Sequence, residues 1–197
     1  MLADVAGRTI DVDLLTGGWV LDGGCRDWLF ADAMLQLGEH VVGVDPAQDI
    51  RGHRGAKFHR AALMPYCGLA ELPHDDDPQT ARAESWTGGL RVPAVTVDSL
   101  RGRYAVEVWD VVKLNIEGGE YAILQAWPGP IARQISVAFH DFLGRNPCPD
   151  PESYYGPMLE HLGQWYRVAQ HEKTHKDDEL DYWDSLFILK DTHAGSR

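Results

Sequence analysis

Short apolar runs closed by polar or glycine-rich turns alternate along this chain with segments whose apolar positions recur at helical spacing. That alternation predicts a parallel sheet joined by crossover helices. The first unit is the clearest: Trp19-Val20-Leu21 is closed by Asp22-Gly23-Gly24, and Phe30, Ala33, Met34 and Leu37 then share a helical face until Gly38. Val41-Val42-Gly43-Val44 follows as a second buried strand ending at Asp45-Pro46, which completes a βαβ unit. Lys57 to Leu63 reads as a third strand, Val111 to Ile116 as a fourth ending at Glu117-Gly118-Gly119-Glu120, and Ile135 to Phe139 as a fifth ending at His140-Asp141.

Helices are expected from Asp98-Ser99-Leu100, over Tyr121, Ile123, Leu124 and Trp127 up to Pro128-Gly129-Pro130, and around Ser153 to Leu162 after a loop at Pro147 to Pro151. Trp165 to Gln170 and Leu186 to Leu189 read as two last strands separated by a charged turn from Lys173 to Asp181. Residues 64–91 are polar and punctuated, and a structureless loop of that length is unusual in a compact domain, so a hairpin or flap returning through Val92 to Val97 is expected there. The fold class is therefore α/β: a mostly parallel seven-stranded sheet with an antiparallel edge.

With 197 residues, 44% hydrophobic and 24% charged, residues 1–197 read as one domain able to bury a sizeable core. No apolar run reaches the ~20 residues a membrane helix needs, and the N-terminus lacks the apolar core of a secretory signal, so no membrane partner and a cytoplasmic location are expected. Cys25, Cys67 and Cys148 are too few and too widely spaced for a disulfide framework or a structural zinc site. The 18 basic against 30 acidic residues leave a net charge of -12, which repels phosphate backbones and points to a small-molecule partner rather than nucleic acid. The basic run Arg51 to Arg60 reads as a solvated loop or helix edge.

In an open α/β sheet, ligands bind beyond the carboxyl ends of the strands. Asp22, Asp45, Asn115, Glu117, His140 and Asp141 all fall at such ends. Asp22-Gly23-Gly24 is either a turn that lets backbone approach a ligand or simply a tight strand-to-helix turn. Asp45, 23 residues beyond Asp22, stands near the ~20-residue offset of a ribose-binding acid. The GxGxxG and GxxxxGK[ST] patterns are absent, and a carboxylate at the glycine turn repels a phosphate dianion by several kcal/mol in a partly buried site. A cationic nucleoside, S-adenosylmethionine, suits such a rim, and a nicotinamide dinucleotide does not.

Five segments resemble the FkbM-type S-adenosylmethionine-dependent methyltransferases: WVLDGGCRDWLF, VVGVDPA, FHRAALMPYCGLAEL, VPAVTVDSL with VVKLNIEGGEYAIL, and ISVAFHDF. KLNIEGGEYAIL is similar to the family's K-x-D-x-E-G-x-E-x-x-x-L, and the resemblance covers about residues 19–142. It implies a Rossmann-like class I methyltransferase fold, a three-layer αβα sandwich. It also implies that the turn after the first strand (Asp22, Gly23, Gly24) holds the methionine part of the cofactor, that Asp45 grips the ribose, and that Ala61, Ala62 and Leu63 lie along the adenine. Two positions depart from the family: Cys25-Arg26-Asp27-Trp28 stands where another glycine is usual, and Asn115 replaces the fourth-strand aspartate.

An O-methyltransferase acting on a hydroxyl of a sugar or secondary metabolite follows as the expected activity, with a catalytically weak or inactive binding scaffold on the same fold as the alternative. His140, whose ordinary pKa is about 6.5, is the expected general base, and Glu117 is expected to orient or assist it. The competing readings are a His140 satisfied by backbone, and a helix-dipole role at the first turn for Glu117 and Glu120, with Glu117, at the rim itself, favoured as functional. Glu117, His140 and Asp141 follow no recognised ligand spacing, so no metal is expected. The seven tryptophans read first as core and pocket-wall residues, with Trp28 beside the glycine turn and Trp86 in the flap as the alternative lining of an acceptor site.

Overall fold

The computed structural model describes residues 1–47, 51–72, 90–140, 151–176 and 180–191. The chain opens with a hairpin that the apolar pattern does not announce: β1 (Leu2–Val5) and β2 (Arg8–Asp11) pair antiparallel. Its two-residue turn places Ala6 at φ 50 and Gly7 at φ 76, the left-handed geometry that matches the twist of a hairpin. Ile10 is fully buried, and the Gln134 side chain accepts from Asp11 N–H at 2.7 Å and donates to its carbonyl at 3.0 Å. Arg8 adds an ion pair to Asp184, 3.0 Å apart. The hairpin is thereby docked on the sheet by partners more than a hundred residues away.

β3 (Trp19–Gly23), α1 (Leu29–Gln36) and β4 (His40–Asp45) form the expected βαβ unit. β5 (Lys57–Arg60) pairs parallel with β4, but the third strand does not run on to Leu63 as its sequence suggests. It breaks at Ala61, and β6 (Ala62–Leu63) joins a second sheet instead. That sheet has the order β6-β8-β7, where β7 (Gly68–Leu72) and β8 (Leu90–Val95) are antiparallel. They are the base of the expected hairpin, and residues 73–89 of the flap, with Trp86 and the acidic run, lie outside the described residues. Thr96 caps α2 (Val97–Arg103) in a reciprocal capping box with Ser99, which ends the returning strand.

β9 (Trp109–Leu114), α3 (Glu120–Gln125), β10 (Ala132–His140) and α4 (Pro151–Leu162) follow. β11 (Tyr166–Lys176) and β12 (Leu180–Leu189) close the chain. These last two are longer than the apolar stretches that announced them. The segment Lys173 to Asp181, read as a charged turn, is mostly paired strand, with Lys173 opposite Trp183 and Lys176 opposite Leu180. Charged residues suit a strand at the margin of a sheet, where they discourage further pairing.

The main sheet has the order β11-β12-β10-β9-β3-β4-β5. All neighbours are parallel except at β12, which runs antiparallel to both β10 and β11. From β3 the chain builds outward through β4 and β5, then returns to lay β9 on the other side of β3. The strand order reverses between β3 and β9. Alternate residues face opposite layers: Leu21, Val42, Val112 and Ile135 pack with Leu100, Ile123, Met158 and Leu162 of the helices α2, α3 and α4. Val20, Val41 and Val111 pack with Phe30, Ala31 and Met34 of α1 and with Ile10 of the hairpin. Among the described residues, no helix is long and apolar enough to cross a membrane.

Candidate functional site

The glycine turn sits at the reversal point. Gly24 N–H donates to the Val44 carbonyl at 2.9 Å and Asn115 N–H to the Gly23 carbonyl at 3.1 Å, which ties the end of β3 to both neighbours. Gly24 has φ 76, and a methyl group on it would overlap the Asn115 carbonyl. Gly23 is similarly close-packed, with a Cβ there falling 3.1 Å from Leu63 Cδ2. The tight-turn reading of these glycines is therefore sufficient to explain them: the approach they permit is to the neighbouring strand.

Asp22 does not present a free negative charge. Its side chain is 1% exposed, and Oδ1 receives a hydrogen bond from Lys113 Nζ at 2.8 Å, while the same ammonium donates to the Gly24 carbonyl at 2.8 Å. This corrects the argument from sign, since the Asp22 charge is met within the protein. Oδ2 of Asp22 remains buried with no hydrogen-bond partner among the described residues. Lys113 was not singled out from the sequence. Its signal was there, a lysine inside the apolar run VVKLNI in register with Asp22 on the adjacent strand. The Asn115 side chain, just past the end of β9, has its Oδ1 buried and likewise without a partner among the described residues.

Asp45, at the end of β4, is 7% exposed, and its Oδ1 accepts from Ala47 N–H at 2.9 Å. Burial holds its carboxyl above the usual range, against the opposing pull of the Ala47 N–H and of the Lys113 and Arg26 charges. Beside it, Ala61 N–H bonds the Asp45 carbonyl at 3.2 Å. Ala61 and Leu63 pack in the main core, whereas Ala62 packs with Met64, Ala70 and Val92 in the second sheet.

The departure Cys25-Arg26-Asp27-Trp28 has a packing explanation. Trp28 enters α1 at φ 59, and its ring and the Cys25 thiol fill the space over Gly43, where a Cβ would lie 2.6 Å from the indole and 2.8 Å from the sulfur. The indole N–H donates to the Arg51 carbonyl at 3.1 Å, and the ring stands beside His53 and Phe58. Trp28 thus packs onto β4, as the core reading of the tryptophans expects, rather than lining an acceptor site. The Cys25 thiol, 1% exposed, is pushed up by burial and then by the Asp22 and Asp45 charges, so it is a packing group rather than a nucleophile.

Glu117 lies in the turn after β9 with φ 54, a left-handed conformation uncommon outside glycine, asparagine and aspartate. Glu120, fully buried, accepts from Ile116 N–H at 2.7 Å and from Gly118 N–H at 2.8 Å, both ahead of α3. It therefore braces the turn, a role the dipole argument alone did not supply. His140 ends β10 in register with Tyr182. Asp141 lies outside the described residues. Among the described residues, no group of three or more His, Cys, Asp or Glu side chains is arranged to hold a metal.

A parallel sheet of this order, with a glycine turn at its reversal and an acid closing the next strand, is the class I methyltransferase fold. Residues 33–179 match the family model described as the methyltransferase FkbM domain, and the chain belongs to that family. A search of curated proteins finds no match. Among solved structures, the chain is similar to Aeropyrum pernix fibrillarin with natively bound S-adenosyl-L-methionine, with TM-score 0.50 and 12% identity over 91% of this chain and 70% of that one. It is also similar to the magnesium protoporphyrin IX methyltransferase of Synechocystis PCC 6803 with bound SAM (TM-score 0.48, 12% identity, 86% and 69% covered). A third is the Burkholderia thailandensis 1,6-didemethyltoxoflavin-N1-methyltransferase with bound 1,6-didemethyltoxoflavin and S-adenosylhomocysteine (TM-score 0.46, 10% identity, 88% and 71% covered). At this identity the likeness to fibrillarin concerns the fold alone.

Proposed function

We propose that this chain is a single-domain methyltransferase that uses S-adenosylmethionine to methylate a hydroxyl of a small-molecule acceptor. The observation that carries the cofactor reading is a shortage of donors at the strand reversal: Asp22 Oδ2 in β3 and Asn115 Oδ1 just beyond the adjacent β9 are buried acceptors with no partner among the described residues. Buried acceptors left unpaired are costly, so a ligand that brings N–H and O–H groups is favoured there. The cofactor brings an ammonium and two ribose hydroxyls, whereas a pyrophosphate brings only more acceptors.

In this reading Asp22 and Asn115 receive the ammonium, Gly23 and Gly24 shape the turn beneath it, Asp45 accepts from the ribose and Ala61 and Ala62 flank the base. S-adenosylmethionine supplies an activated methyl group on a sulfonium. His140 would take the proton of the acceptor hydroxyl, and Glu117 would orient that hydroxyl or the imidazole. The net charge of -12 favours an uncharged or cationic small acceptor over RNA.

Calorimetry with S-adenosylmethionine and S-adenosylhomocysteine, paired with a methyl-transfer assay over a panel of hydroxylated acceptors, tests this. Asp45→Asn is expected to weaken cofactor binding about tenfold or more, the loss of a charge-assisted hydrogen bond. His140→Ala is expected to retain binding and lower turnover by roughly 10² to 10⁴. Absence of binding at millimolar cofactor would overturn the reading and favour the inactive scaffold.

A further inference from the structure

The turn after β9 holds a glutamate where a glycine would be less strained. Glu117 stands at φ 54 and Gly118 at φ 100, followed by Gly119. With glycines on hand in the same turn, its first left-handed position is nevertheless given to a residue with a Cβ, which that conformation disfavours. Such strain persists only where the surroundings over-determine it.

One side chain supplies that determination. Glu120 is 0% exposed, and its two carboxylate oxygens take the amide hydrogens of Ile116 and Gly118, the residues on either side of Glu117. Helix capping does not account for this, because an N-terminal cap satisfies amides within the first turn of its helix, and these two amides precede α3. The turn is further closed by Gly119 N–H on the Ile116 carbonyl at 3.4 Å. The carboxylate therefore fixes the peptide unit between Glu117 and Gly118 and the one that precedes Ile116, while the Gly119 N–H engages the unit between Ile116 and Glu117; together these contacts set the direction in which the Glu117 side chain leaves the backbone.

We infer that Glu120 is a positioning residue that holds Glu117 in its strained left-handed conformation and so aims the Glu117 carboxylate at the reaction site. The inference rests on the proposed role of Glu117 and deepens it. It makes the two glutamates a coupled pair, one bearing the chemistry and the other the geometry. It also makes a prediction about stability that needs no substrate.

The experiment is a double-mutant cycle of Glu117→Gly and Glu120→Gln on the full chain, read by thermal melting, by calorimetry with S-adenosylmethionine and by turnover against pH. Glu117→Gly removes the strain and is expected to raise the melting temperature by about 2–4 °C, the shift typical of a small gain in a domain of this size. Glu120→Gln replaces one acceptor with a donor facing an amide hydrogen and is expected to lower the melting temperature. That loss should be smaller in the Glu117→Gly background, because a glycine adopts the left-handed turn without being held. In the wild-type background, Glu120→Gln is expected to leave cofactor affinity within about twofold, to lower kcat by about tenfold or more, and to alter the pH profile of turnover.

A melting temperature unchanged or lowered by Glu117→Gly, or strictly additive effects in the cycle, would overturn the inference. So would a folded Glu120→Gln protein with wild-type kcat and pH profile, which would make Glu120 a purely structural brace. Failure of the proposed function has a different signature: no cofactor binding by the wild-type chain. Should Glu120→Gln not fold, the Glu117→Gly melting shift still decides the matter of strain.

Discussion

The Lys113 ammonium lies between the Asp22 carboxylate and the Gly24 carbonyl, 2.8 Å from each. One side chain of β9 thus neutralises a buried acid of β3 and anchors the glycine turn that follows it. The pair is almost wholly enclosed, at 6% and 1% exposure, so neither charge can turn to water if its partner is removed. Breaking a buried pair from one side is far more damaging than replacing both members.

Lys113→Met is accordingly expected to destabilise the fold by about 3–5 kcal/mol, a large share of the roughly 5–15 kcal/mol available to a domain. Asp22→Asn combined with Lys113→Met should recover more than half of that loss, since the second change removes the stranded charge. Urea denaturation of both variants checks the pair, and a double variant as unstable as the single one would contradict it.

Gly24 meets the Asn115 carbonyl where a side chain would stand, at φ 76. Gly24→Ala combines the left-handed penalty of about 1–2 kcal/mol with a backbone overlap that only separation of β3 from β9 can relieve. The expected result is a loss exceeding about 2 kcal/mol by chemical denaturation, together with weakened cofactor binding in calorimetry. A variant as stable as wild type would show that the turn is looser than described.

Glu39 and Asp110 meet at the opposite end of the sheet. Glu39 Oε1 accepts from Gly17 N–H at 2.9 Å, while Asp110 accepts from Thr16, Gly18 and Arg133. Burial first, and then the Asp110 charge, hold the Glu39 carboxyl above its ordinary value of 4.5, with the Gly17 N–H pulling the other way. An acid whose pKa rises on folding binds its proton more tightly when folded. The associated stability is present below 4.5 and is lost as pH rises through the folded-state pKa. Glu39→Gln keeps an acceptor for Gly17 and cannot ionise, so it is expected to stabilise the protein at pH 7–8 by about 1 kcal/mol and to make little difference below pH 4. Asp45 and Asp184 are also raised by burial, and comparing variant with wild type across pH cancels their contribution.

Much of the sheet is visible in the linear chain because its central strands are buried on both faces and so read as uninterrupted apolar runs. Val41 to Val44 and Val111 to Leu114 announce themselves in this way, and the polar residues that end them mark the rim. Other elements are invisible for equally physical reasons. The N-terminal hairpin buries only Ile10 fully and is docked through Gln134 and Asp184, partners far along the chain. The strand beginning at Lys57 has the composition of one strand but is divided between two sheets at Ala61. The charged residues of β11 pair across the sheet margin, where charge is tolerated, and so resemble a turn.

The candidate site divides along the same line. Local order along the chain determined which residues reach the rim, since a strand's last residue is adjacent to its loop: Asp22, Asp45, Asn115 and Glu117 stand where their runs end. Only the tertiary structure decided the charge and freedom of those groups. Asp22 is neutralised by a lysine 91 positions on, Trp28 is drawn onto Gly43 of the neighbouring strand, and Glu117 is held by Glu120 through backbone amides. Electrostatics and packing act through space, and a residue's partners in them are set by strand register rather than by its neighbours in the chain.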